Sequence, residues 1–278
     1  MTTNFEESRG ILRPRAGAEK FQLSRRMPTQ DLRFFIDRYW IVRWDLRSQE
    51  PYVQDVLPYP CVHAVFEQNA SRVYGVDTGR FSRLLEGKGI VFAIKFRPGA
   101  FYAFVKIPVS RFTNRTISFF EAFNVQSDEL EDALLAQGDE GEMVVTAEQF
   151  LRKRLPGQDE NITLVNQIID TIVAQQTITK VDNLVEQLSI NKRTLQRLFQ
   201  QYVGVSPKWV IQRYRLHEVA EQLNSGAAID WTELAVDLGY FDQAHLIKDF
   251  KMLVGKTPTE YVKQIGQDLS RPTPTRRV

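Results

Sequence analysis

Between Glu186 and Glu218 the chain runs for 31 residues without an acid and carries six basic groups: Lys192, Arg193, Arg197, Lys208, Arg213 and Arg215. At helical spacing, Leu195, Leu198, Phe199 and Tyr202 share one side, and Arg193, Gln196, Arg197 and Gln200 take the other. Arginine presents a planar fork matching O6 and N7 of guanine, and glutamine does the same for N6 and N7 of adenine. A solvated helix usually mixes both signs, so the missing acids point toward a nucleic-acid partner. Lys208 and Arg213, further along, suit phosphate contacts. The bland alternative is a set of helical hairpins used only for packing, or a scaffold for protein partners.

The elements that must position these groups form an internal repeat. Leu184 and Leu188 recur 50 residues later as Leu234 and Leu238, and Leu195, Phe199, Gly204 and Pro207 recur 51 residues later as Leu246, Phe250, Gly255 and Pro258. Each copy reads as a short helix, a tight turn, a longer helix and then Gly-x-[Ser/Thr]-Pro opening another helix. Gly204 and Gly255 fall where a left-handed C-terminal cap is wanted, and the prolines fall where a first helical turn tolerates them. Short helix, turn and second helix make a helix-turn-helix, whose second helix enters the major groove. The second copy differs in charge: residues 229–263 hold four lysines against six acids. Its candidate groove-facing residues are Gln243, Ala244, Ile247 and Lys248, with His245 nearby and Asp242 as N-cap. The expected reader is asymmetric, the first unit supplying most of the affinity.

Leu234–Tyr240, His245–Lys251 and Gly255–Tyr261 together resemble the signature of the AraC/XylS family of bacterial transcription regulators. That signature is an A-x-x-x-G-[FY] turn, a helix ending F-K, and G-x-[TS]-P-x-x-[YF]. The resemblance covers 161–265, with Pro207–Asn224 as the helix joining the two units, and Ala244 and Asp249 depart from it or fall at variable places. It implies transcription control, most commonly activation, with both recognition helices in successive major grooves on one DNA face. Lys95–Ala100 (KFRPGA) resembles a strand-and-turn segment of β-rich sensor domains in such regulators. This implies effector binding, or dimerisation through junction helices at Ser127–Gln137 and Glu142–Leu155.

Composition fits two folded units: 278 residues, 43% hydrophobic, 25% charged, net charge +2. Such a low net charge excludes a broadly basic, indiscriminate DNA binder. The expected class is α+β multidomain. Residues 1–155 form a β-rich, barrel- or cupin-like sensor or dimerisation domain with helices near 127–155, 156–160 a linker around Pro156-Gly157, 161–270 an all-α domain with two helix-turn-helix units, and 271–278 a tail. Strands are expected at Arg38–Asp45, Tyr52–Leu57, Cys61–Gln68 and Ile90–Arg97, and a short helix at Thr29–Phe35. No apolar run reaches the roughly 18 residues of a membrane span. The acidic start, Met1–Gly10, lacks a secretory pattern. A single cysteine suits a reducing, cytoplasmic, nucleoid-associated setting.

Enzymatic chemistry finds little support. Only His63 lies in the first half, so no metal site is expected, and neither a nucleophile elbow nor a phosphate-binding loop occurs. No cofactor is expected. Cys61 beside His63 offers a covalent or enzymatic sensor as the alternative, although a lone cysteine among Val62, Val65 and Phe66 is more often inert core. An apolar effector pocket is the more natural use of the aromatic residues, with Trp40, Phe66, Phe96 and Arg97 as candidate contacts. The partners expected are double-stranded DNA, a small effector, RNA polymerase and a second copy of the chain, with no membrane.

Overall fold

The computed structural model describes residues 10–225 and 229–269; the expected tail and the acidic start through Arg9 lie outside the described residues. The first half is β-rich, opening on a short helix α1 (Pro14–Ala18), and the second is helical. Strands β1 (Phe21–Arg26), β2 (Ile36–Asp45), β4 (His63–Glu67), β5 (Arg72–Tyr74), β7 (Lys88–Phe96) and β8 (Thr116–Ile117) form one antiparallel sheet, ordered β1-β2-β7-β4-β5-β8. Strands β3 (Tyr52–Val56) and β6 (Phe81–Leu85) pair as a separate ribbon.

Strand alternation gives the large sheet two apolar faces. Tyr39, Ile41, Phe66, Phe92, Ile94 and Phe96 lie on one face, all fully buried beneath helices α2 (Phe101–Val105), α3 (Phe119–Phe123), α4 (Asp128–Leu135) and α5 (Glu140–Arg152). Trp44, Val65, Val91 and Ala93 face the other way, toward Leu85 on the ribbon. The apolar sides of α4 and α5 (Leu134, Met143, Ala147, Leu151) are buried inside the chain, so the junction helices pack on their own sheet.

Thr29–Phe35 is a series of turns and not a helix. Thr29 donates from its backbone N–H (2.9 Å) and its hydroxyl (2.8 Å) to Glu148 on α5. Leu32 and Phe35 are meanwhile held in the core. Tertiary anchoring here overrides a local capping signal. Strands β1, β5, β6 and β8 were not expected. Their sequences, such as FQLSRR and FSRLL, mix polar residues into short runs.

The helical half contains α6 (Glu160–Ala174), α7 (Val181–Leu188), α8 (Lys192–Leu198), α9 (Pro207–Asn224), α10 (Trp231–Asp237), α11 (Gln243–Val254) and α12 (Pro258–Leu269). One apolar core runs from the sheet through α6, α7 and α8 to the start of α9. A second core joins the end of α9 to α10, α11 and α12, and takes in Leu12 and Leu57 from the first half. No helix among the described residues is long and apolar enough to cross a membrane.

Candidate functional site

Helices α7 and α8 make the first helix-turn-helix. Asn191 caps α8 by accepting from the backbone N–H groups of Arg193 (2.8 Å) and Thr194 (3.4 Å). Leu195 and Leu198 are buried, which fixes the rotation of the helix. Lys192, Arg193, Gln196, Arg197 and Gln200 are all exposed on its outer side. Lys192 pairs with Asp182 of α7 at 2.7 Å. After Leu198 the chain widens into a π-helical turn, Phe199–Val203, closed by the Gly204 N–H donating to the Phe199 carbonyl. Gly204 takes the left-handed cap (φ 92°) and accepts from the Thr113 hydroxyl at 2.7 Å, which ties this unit to the β-rich half.

Lys208 is exposed in the first turn of α9. Arg213 is not available to a phosphate: it is 1% exposed, donates to the Thr78 carbonyl (2.9 Å) and lies 4.4 Å over the Trp209 ring. Burial pushes its guanidinium down to about 10. Arg215 is equally buried, pairing with Glu218 and donating to the carbonyls of Ile172 and Gln175. Two of the six basic groups counted from sequence therefore hold α9 in place. Four remain on the surface: Lys192, Arg193, Arg197 and Lys208.

Helices α10 and α11 make the second unit. Asp242 caps α11, accepting from the His245 N–H at 2.9 Å and lying 2.8 Å from His245 Nδ1. Those bonds, backbone first, hold its carboxyl below the usual range. Leu246, Phe250, Leu253 and Val254 are buried. Gln243, Ala244 and Lys248 are exposed and Ile247 is half-buried. Phe241, immediately before the cap, escaped the sequence reading. Its signal was a large apolar residue outside the periodic core positions.

Between the sheet's second face, the β3–β6 ribbon and α6 lies a cavity of about 630 Å³. Strand register grades its wall. Arg38, Lys95 and His63 are cross-strand neighbours in one row, while Leu23, Val42 and Val91 make an apolar row four residues along. Lys95 Nζ and Arg38 Nε each lie 3.0 Å from Asp37. Burial alone would raise the Asp37 carboxyl, but the two cations outweigh it and hold it low. Two cations thus share one carboxylate. Burial pushes His63 down to about 3, helped by Lys95, so its ring is neutral and accepts from Trp40 Nε1 at 3.2 Å.

Of the expected effector contacts, Trp40 and Arg97 line this cavity. Phe66 and Phe96 do not; they belong to the opposite sheet face, against Phe119 and Phe101 respectively. Both faces of these strands are apolar, so alternation alone could not choose. Lys95, missed from sequence, shares a strand face with Arg97 two residues on. Arg97 already donates to Asn166 (3.2 Å) and pairs with Asp170 (3.4 Å), both on α6, bridging the sheet to the helical half. Cys61 is buried, and desolvation pushes its thiol up to about 11, leaving it protonated and weakly nucleophilic. Among the described residues no three His, Cys, Asp or Glu side chains gather as a metal site.

Residues 184–264 match a helix-turn-helix domain model, and residues 24–118 match a domain of unknown function, DUF6597. An uncharacterized HTH-type transcriptional regulator of Haemophilus influenzae is 28% identical over 86 residues, 31% of this chain. The match spans only 28% of that relative's own length. A crystal structure of ToxT from Vibrio cholerae is similar at 12% identity and a TM-score of 0.38, over 88% of this chain and 98% of that one. A second ToxT structure gives 14% identity and 0.36, over 89% and 98%.

Proposed function

We propose that this chain, which carries an AraC-type helix-turn-helix domain, is a sequence-specific DNA-binding transcription regulator. The observation that carries the reading is the outer side of α8. Arg193, Gln196 and Arg197 stand exposed there without an acid among them, on a helix whose rotation is fixed by buried Leu195 and Leu198. Lys208 adds a phosphate contact. Gln243, Ala244, Ile247 and Lys248 form the reading edge of the second unit. In this reading residues 1–155 sense, 156–160 join and 161–270 read DNA.

The finer parts of the proposal are activation through RNA polymerase, action as a homodimer in the cytoplasm at the nucleoid, and control by a small effector. The graded cavity supports effector control. Its polar row lies beside α6 and Tyr214 of α9, so an occupant would touch both halves. Binding-site selection followed by footprinting tests the core of the proposal. The expected outcome is protection of two successive major-groove segments on one DNA face. A purified chain that enriches no sequence would favour the protein-scaffold reading instead. Alkylation that reached Cys61 and altered DNA binding would revive the covalent-sensor reading.

A further inference from the structure

We propose that the second helix-turn-helix reads thymine C5-methyl groups through an apolar edge formed by Phe241, Ala244 and Ile247. This rests on the regulator reading above and specifies what its second unit recognises. Among the described large apolar side chains, Phe241 is the most exposed, at 92%. A phenyl ring left that open gains almost nothing from burial in this fold. It sits in the turn ahead of α11, at the end of a recognition helix that meets base edges. Its ring is edge-on to His245 (centroids 6.2 Å apart, 86° between planes), and His245 is tied to Asp242. The ring therefore stands over the first turn of the helix.

The first unit carries different residues at the equivalent positions, 51 residues earlier. Arg193 corresponds to Ala244, Gln196 to Ile247 and Ile190 to Phe241. Two of the polar base-reading positions of α8 are thus apolar in α11, while Arg197 keeps a cationic counterpart in Lys248. Ile190 is half-buried against the main core, whereas Phe241 is turned out to solvent. The thymine methyl is the apolar group that the major groove presents. Local charge agrees: with six acids against four lysines, residues 229–263 are poorly suited to binding by phosphate neutralisation.

The test uses the full chain and its selected DNA site, with thymine replaced by deoxyuracil one position at a time. In the second half-site, each contacted thymine should lose roughly fourfold in affinity, from about 0.8 kcal/mol per buried methyl-sized group. In the first half-site, uracil should be tolerated. Phe241→Ala, at an exposed position that folding does not need, should abolish the second half-site's uracil sensitivity at the thymine it covers, and Phe241→Leu should keep part of it. Uracil tolerated throughout the second half-site would overturn the inference while leaving the regulator reading intact. So would uracil sensitivity unchanged in Phe241→Ala, which would place that ring on a protein partner. Failure to select any DNA sequence would overturn both.

Discussion

The two helix-turn-helix units share a backbone plan and differ in both chemistry and anchorage. The first has a cationic, glutamine-bearing outer side, and its apolar residues belong to the core that also holds the large sheet. The second has Ala244 and Ile247 beside Gln243 and Lys248 on its outer edge and a core of its own, joined to the first half through Leu12, Leu57 and contacts such as Arg13 N–H to Tyr261 Oη at 3.3 Å. A duplicated fold has thus kept its spacing while its copies diverged toward different work. The first is built for strength and rigid placement. The second, in the proposed reading, serves local discrimination, on a core separate from that of the sheet.

The largest effects should come from the cores. Leu195→Ala removes a fully buried side chain from the shared core, at an expected cost of about 2–5 kcal/mol. Sheet and first unit should lose stability together. Phe250→Ala should cost about 3–5 kcal/mol within the second core. Hydrogen exchange should then accelerate in α10, α11 and α12, while β2 and β7 keep their protection and the first half-site stays footprinted. Equal acceleration in the sheet would show that the units are not separately anchored.

Next come the reading residues. Arg197→Ala should weaken specific binding by about 1–3 kcal/mol and relax preference at one base pair of the first half-site. Lys248→Ala should cost less, because its neighbours bind through apolar contact. A larger loss at Lys248 would invert the comparison. Lys208→Ala should leave sequence preference alone and reduce the salt slope by about 1. Arg213→Ala separates charge from structure: it should lower the melting temperature and leave the salt slope of the remaining folded protein unchanged, since that guanidinium is buried on Thr78 and Trp209.

The sequence revealed whatever is local and periodic. The repeat, the caps at Asp242, Gly204 and Gly255 and the buried set Leu195, Leu198, Leu246 and Phe250 depend on neighbours a few residues apart, so spacing determines them. What needed the structure is long-range. Arg213 and Arg215 look like surface cations until the β5–β6 loop and the end of α6 close over them. Phe66 and Phe96 look like pocket residues because both faces of their strands are apolar, and only the packing of α2 and α3 decides which face is solid core. Phe241 was legible in principle, as an aromatic lying outside the apolar stripe.

The smallest effect lies in the two turns. Between α7 and α8 the left-handed residue is Ser189 (φ 49°), and between α10 and α11 it is Gly239 (φ 69°). A side chain in that region costs about 1 kcal/mol or slightly more, whereas glycine is nearly indifferent to it. Ser189→Gly should therefore raise the stability of the first unit by up to about 1 kcal/mol. Gly239→Ala should lower that of the second by about 1–2 kcal/mol, because its new Cβ would also come within 3.3 Å of Thr179 Oγ1. Chemical denaturation followed by Trp231 fluorescence reads the second change, and exchange at the α8 amides reads the first. If both substitutions move stability in the same direction, the turns are held by tertiary contacts, and the first unit's stronger anchorage does not compensate for a strained turn.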